Sequence, residues 1–182
     1  MKRVIPASAL AAALLTLIGC GWGASEEDDT FEPMDSAWAL TLGPLETYCT
    51  GLKAQAAKRG IKTFTEVELR IYAVWMFDEE VQNGGFSQYF YNPAGALAPQ
   101  TVSFLRDVGA GRHADWLEEG LTTFGPTGPS ADLTSRREQL DRLSPEANEQ
   151  LDRLTDAIQQ RPRTLLELLS DHLRELDPHR FN

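Results

Sequence analysis

The sequence predicts an all-α protein: about six to eight short helices packed as a single bundle-like domain. Three observations predict it. Apolar residues recur at helical spacings of three and four in segment after segment, no segment alternates with period two, and Gly, Pro and Ser-Pro breaks fall between the segments. A chain of 182 residues suffices for one cored domain and is short for two. Two Cys, 14 Gly and 10 Pro, with no fixed-period repeat, exclude disulfide-scaffold, collagen-like and solenoid readings.

Residues 1–19 read as a signal peptide. Lys2 and Arg3 form a positive start, and Val4 to Ile18 is uncharged and mostly apolar. That run is too short to span a bilayer, which needs roughly 20 apolar residues, but suits a signal h-region of about 7 to 15. Its end, Leu17-Ile18-Gly19-Cys20, resembles a bacterial lipoprotein lipobox, which implies that Cys20 is acylated and begins the mature chain. The expected location is therefore the bacterial cell envelope. Gly21 rather than Asp follows Cys20, which favours an outer membrane, facing the periplasm, in a cell that has two.

Residues 20–35 carry six acids among Gly, Ser, Thr and Pro, a composition expected of a solvated tether that buries too little apolar area to offset ordering entropy. Residues 36–182 form the predicted domain. The whole chain has 17 basic and 27 acidic residues; without leader and tether, 15 and 21 remain. This moderate acidity disfavours direct binding to nucleic acid and suits a basic partner or plain solubility.

Along the domain, Pro44 at a first-turn position, Leu45 to Arg59 and Gly60 predict the first helix. Thr63 with Glu66 reads as a capping box for a second, long segment ending at Asn83-Gly84-Gly85. The unbroken apolar centre of that segment, Ile71 to Phe77, belongs in the middle of a bundle. Ala98, Val102 and Leu105 stop at Gly109; Ala114, Leu117, Leu121 and Phe124 stop at Gly125, where a loop runs to Ser130. Leu133, Leu140 and Leu143 precede Ser144-Pro145, an N-cap and first helical residue. Ala147, Leu151, Leu154 and Ile158 form one stripe, with Glu149 and Arg153 as an exposed pair, and Leu165, Leu168, Leu169, Leu173 and Leu176 form the last.

The densest stretch runs from Glu80 to Gly95. Asn83-Gly84-Gly85 permits a positive φ where one helix ends and the next begins, while Phe86, Tyr89 and Phe90 return apolar surface to the core. The amides of Asn83, Gln88 and Asn92 suit free backbone groups at that corner. Glu80, Asn83, Gly84, Gly85, Phe86, Gln88, Tyr89, Phe90 and Asn92, with Gly95 and Val108-Gly109-Ala110, resemble the shared motif of the bacterial DNA-mimic protein family over roughly residues 60 to 160. The resemblance implies an all-helical fold and, for the family's characterised branch, an acidic surface that imitates DNA and occupies a DNA-binding regulator. The chain departs from the pattern at Gln82, often a second Asn, and lacks the aromatic pair after a late Leu-Asp: Leu151-Asp152 leads into Arg153-Leu154.

No catalytic residue is assigned, and no metal site or cofactor is expected. Glu80, Asn83, Gln88 and His113, with Asp115 to orient His113, offer the parts of an envelope hydrolase, yet amides and glycines at a helix corner serve backbone groups, and His113 sits near a helix start where exposed polar residues are common. His172 and His179 lack an accompanying metal-ligand pattern. Cys49 reads as a small apolar residue on a helix face. Asp78, Glu79 and Glu80 with Asp115, Glu118 and Glu119 would make an acidic patch if their two helices lie side by side. The sequence thus points to a lipoprotein held to a membrane through Cys20, binding a protein and no nucleic acid directly. The alternatives are a DNA mimic and, third, a hydrolase.

Overall fold

A computed structural model describes residues 36–160, 164–177 and 179. Among them the fold is all-α, with seven helices: α1 Ser36–Arg59, α2 Glu66–Tyr91, α3 Ala98–Asp107, α4 Gly111–Thr122, α5 Leu133–Asp141, α6 Pro145–Gln159 and α7 Leu165–Leu176. Short 3-10 turns occupy Ile61–Thr63 and Pro93–Leu97. The leader, Cys20 and the tether lie outside the described residues. Of the described helices, none is long and apolar enough to cross a membrane.

The unbroken apolar centre of α2 makes it the axis of the bundle. It packs against α1, α3, α5, α6 and α7, and α4 closes over α3 and α6. Ile71, Val74 and Phe77 of its first half and Phe86, Tyr89 and Phe90 of its second are all essentially inaccessible. Their rings meet edge-on, Phe77 to Tyr89 at 5.0 Å and Phe90 to Phe124 at 4.8 Å, geometry that adds to their burial. Leu45, Cys49 and Leu52 of α1, Val102 and Leu105 of α3, Leu117 of α4, Leu151, Leu154 and Ile158 of α6, and Leu165, Leu169 and Leu173 of α7 belong to the same core.

Two start signals differ from the expectation. Pro44 lies inside α1, which begins eight residues earlier, at Ser36; its missing N–H removes one hydrogen bond without ending the helix. The capping box is Thr65 with Glu68, not Thr63 with Glu66. The Glu68 amide donates to Thr65 Oγ1 at 3.2 Å and the Thr65 amide to Glu68 Oε2 at 2.8 Å, while the Thr63 hydroxyl donates to the Gly60 carbonyl at 3.0 Å. Both pairs have the same spacing. The register that wins places Phe64 edge-on to Tyr72, 5.3 Å between centroids.

The other caps fall where expected. Gly109 and Gly125 take positive φ beyond α3 and α4, and Ser144 accepts the Ala147 amide ahead of Pro145. In α5 the buried residue is Arg136; Leu133 and Leu140 are only half-buried, as is Leu143 just beyond the helix.

Candidate functional site

The Glu80–Gly95 stretch is a helix broken once and then clamped at its end. Within α2, Gly84 (φ −156°, ψ 22°) and Gly85 (φ 75°, ψ −173°) leave helical geometry. The positive φ is therefore at Gly85 alone, and an added Cβ there would also lie 2.7 Å from Thr155 Oγ1. The break detaches backbone groups that the helix would otherwise pair. The Phe86 amide donates instead to Thr155 Oγ1 at 3.1 Å, and the Gln159 side chain donates to the Val81 carbonyl at 3.2 Å. Both partners come from α6.

On the outer side of the corner, Glu80 organises the amides. Its Oε2 accepts from Gln88 Nε2 at 2.8 Å and from Asn92 Nδ2 at 2.7 Å, two charge-assisted bonds across the break. Gln88 lies across Gly84, where a Cβ would stand 2.2 Å from Gln88 Oε1. Gly84 is thus small to make room, whereas Gly85 is a glycine for both its backbone and its packing. Asn83 is exposed on the outer side.

The end of α2 is held by arginines. Arg136, fully buried, donates from Nε to the Phe90 carbonyl (2.7 Å), from Nη2 to the Asn92 carbonyl (2.9 Å), and from Nη1 to the carbonyls of Ser130 (2.7 Å) and Ala131 (3.2 Å). A cation at a helix C-terminus meets both unpaired carbonyls and the negative end of the dipole. Arg137 donates to the Tyr91 carbonyl at 2.9 Å and stacks over the Tyr91 ring at 4.0 Å. Gly95 fits beneath, where a Cβ would lie 2.6 Å from the Tyr89 carbonyl and 3.0 Å from Arg136 Nε. Sequence reading missed Arg136, Thr155 and Gln159.

Residues 62–176 match the family described as DMP19-like protein. The chain belongs to this family. Comparison with curated proteins and comparison with solved structures give no match. The corner, from Glu80 to Gly95, lies wholly within the DMP19-like region, as do Arg136, Thr155 and Gln159.

Around this DMP19-like corner the acids proposed for a surface patch separate. Asp78 is buried, so it is not a surface carboxylate. Burial pushes its pKa up to about 6, against a hydrogen bond with the Gln82 side chain that pulls it down. Glu79 pairs with Lys53 of α1, and Glu80 is held by its two amides. On α4, Glu118 and Asp115 face Arg106 of α3 at 2.7 and 3.8 Å, and Glu119 accepts from Gln150 of α6 at 3.1 Å. The two sets serve different neighbours, since α4 packs mainly on α3 and α6.

His113, expected at an exposed helix start, is buried and meets the Trp116 ring edge-on at 5.6 Å. It shares the inward face of α4 with Ala114 and Leu117, so its ring serves as core volume. Cys49 is fully buried, and burial foremost, with Glu46 and Glu79, pushes its thiol up to about 12. Such a thiol is a poor nucleophile. Among the described residues no three His, Cys, Asp or Glu side chains gather in a metal-binding group.

Proposed function

We propose that this chain is a lipid-anchored protein of the bacterial envelope whose helical domain works by binding another protein. The observation that carries this reading is how the motif spends its chemistry. Glu80 is occupied by Gln88 and Asn92, the freed backbone groups by Thr155 and Gln159, and the carbonyls at the end of α2 by Arg136 and Arg137. A carboxylate committed to two amides suits a fixed surface better than proton transfer. The Leu17–Cys20 lipobox supports the placement, since several acyl chains at about 0.8 kcal/mol per buried CH₂ anchor a protein stably.

The test begins at the anchor. Replacing Cys20→Ala is expected to release the protein from membranes and to abolish incorporation of labelled fatty acid; continued incorporation removes the anchor. In-cell crosslinking of the mature lipoprotein, with identification of what it captures, then tests the partner.

DNA mimicry is the second reading, favoured by membership of the DMP19-like family and by the surplus of acidic over basic residues. Its partner would be a basic DNA-binding protein, bound in competition with duplex DNA and more weakly as salt rises. A cytosolic full-length chain that competes in this way would put this reading first.

A further inference from the structure

Positive charge is unevenly placed on this acidic body. Residues 53–65 hold four of the 15 basic residues of 36–182 and none of its 21 acidic ones. Lys58 and Arg59 close α1, Lys62 stands on the Ile61–Thr63 turn, and all three are exposed. Among the described residues, every other Lys or Arg meets a carboxylate, an aromatic ring or backbone carbonyls, as Lys53 meets Glu79 and Arg112 lies 5.2 Å from the Trp116 ring centroid. Lys58, Arg59 and Lys62 have no such side-chain partner among the described residues. The dipole of α1 favours cations in its last turn, which accounts for Lys58 and Arg59. It does not reach Lys62, which follows Gly60 and its positive φ of 77°.

Three neighbouring cations left without counter-ions, in a body that has acids to spare, call for an anionic surface from outside. The residue types here narrow its nature. Two of the three are Lys, and their apolar neighbours on α1 are Ala56 and Ala57. Lys and Ala are depleted in specific protein interfaces, which favour Tyr, Trp and Arg. A fluid layer of anionic headgroups asks for no shape match and for no deep anchor, only for charge within a Debye length.

We propose that Lys58, Arg59 and Lys62 form the face that this domain turns toward anionic lipid headgroups. The inference rests on the lipid-anchored reading above, which keeps a bilayer within reach. Each cation near such a surface is worth about fivefold in partition, so the three together give about a hundredfold. That is too little to hold a freely diffusing protein, and enough to orient one whose acyl chains already hold it at the surface. The remainder of the body has the surplus of acids and is repelled, so the trio fixes which side faces the membrane.

The experiment couples the mature chain through its Cys20 thiol to a maleimide lipid in nanodiscs, so the face is tested whether or not cells acylate that residue. A gadolinium-chelating lipid then speeds the relaxation of nearby backbone amides in NMR. The quantity read is the ratio of this effect at residues 58–63 to that over Gly111–Thr122, on α4. With one-third phosphatidylglycerol the ratio is expected to exceed its value in pure phosphatidylcholine by about fivefold or more, and to return to that value in 1 M salt. Lys58→Gln, Arg59→Gln and Lys62→Gln together are expected to abolish the rise while circular dichroism and Tm stay unchanged. A ratio that anionic lipid does not raise overturns the proposal and leaves an acidic protein as the occupant; a rise that survives in the triple variant overturns it as well. Either failure leaves the anchor standing, which the fatty-acid labelling of the Cys20→Ala variant decides separately.

Discussion

Two arginines, Arg136 and Arg106, show how differently the two sides of this molecule use the same side chain. Arg136 is fully buried at the end of α2 and bonds four backbone carbonyls; Arg106 is half-exposed on α3 and faces the carboxylates of Glu118 and Asp115. By formal charge the second arrangement is the stronger, since it pairs opposite ions. By environment it is the weaker, because water and salt screen it and two long side chains must be ordered to form it. In the interior the Phe90 carbonyl has no water to turn to, so removing its donor exacts the full desolvation penalty, while the Asn92, Ser130 and Ala131 carbonyls are only partly buried.

The largest effect is therefore expected at Arg136. Arg136→Met keeps much of the volume but strands carbonyls at Phe90, Asn92, Ser130 and Ala131, and should cost about 4 kcal/mol in urea unfolding. A loss below about 1 kcal/mol would mean that the loop before α5 rearranges to supply its own donors. Next comes Gly85→Val, expected at about 3 kcal/mol because the β-branched side chain meets both a positive φ and Thr155. Gly84→Ala is its control. The Gly84 φ of −156° is ordinary extended backbone, and the neighbour in the way is the tip of Gln88, which can swing aside at the expense of its bond to Glu80. If the two substitutions prove equally damaging, packing rather than backbone conformation governs the break.

Asp78 sharpens the contrast from the opposite direction, as a buried charge without a cationic partner. Its pKa rises from 3.8 to about 6 on folding. Between those values the native state keeps a proton that the unfolded chain has released, so stability falls as pH rises through the window. The penalty is complete above about pH 6 and absent below about pH 4. Asp78→Asn should therefore stabilise the protein at pH 7 by about 2 kcal/mol, somewhat less than the whole shift is worth, and have little effect at pH 3.5. Melting curves at the two pH values check the sign; a variant less stable at pH 7 would show that the ionised form finds compensation in the fold.

Residues with local consequences were legible in the sequence, and residues with distant ones were not. The stripe of Leu151, Leu154 and Ile158, the Ser144-Pro145 start and the turns at Gly109 and Gly125 act within their own helix or the next residue, and each is in place. Thr65 and Thr63 offered the same spacing to a glutamate three residues on, so local pattern left two registers and the Phe64–Tyr72 contact accompanies one. Thr155 and Gln159 bond the corner from 69 and 78 positions away, and nothing in their neighbourhood announces it. Arg136 was hidden more deeply still. It sits in a polar helix among Arg137 and Glu138, where an exposed side chain is the ordinary reading, and its burial arises only when the end of α2 arrives beside it. The acidic patch failed for a related reason: adjacent residues Asp78, Glu79 and Glu80 share a charge but have separate surroundings.

The smallest expected effect lies on the exposed side, at Arg106. Arg106→Gln removes the cation facing Glu118 and Asp115, yet both carboxylates are more than half exposed, at 61% and 57%, and water can take the place of the lost donor. Exposed pairs of this kind contribute about 0.2–1 kcal/mol, so the change in stability should stay within about 0.5 kcal/mol and shrink further in molar salt. The same substitution also leaves the outer face of α4 more negative. Under DNA mimicry it should therefore strengthen capture of a basic DNA-binding protein at low salt, whereas a partner bound through uncharged contacts should be indifferent to it. Measured together, a near-silent Tm and a salt-dependent change in binding would separate a charge kept for recognition from one kept for the fold.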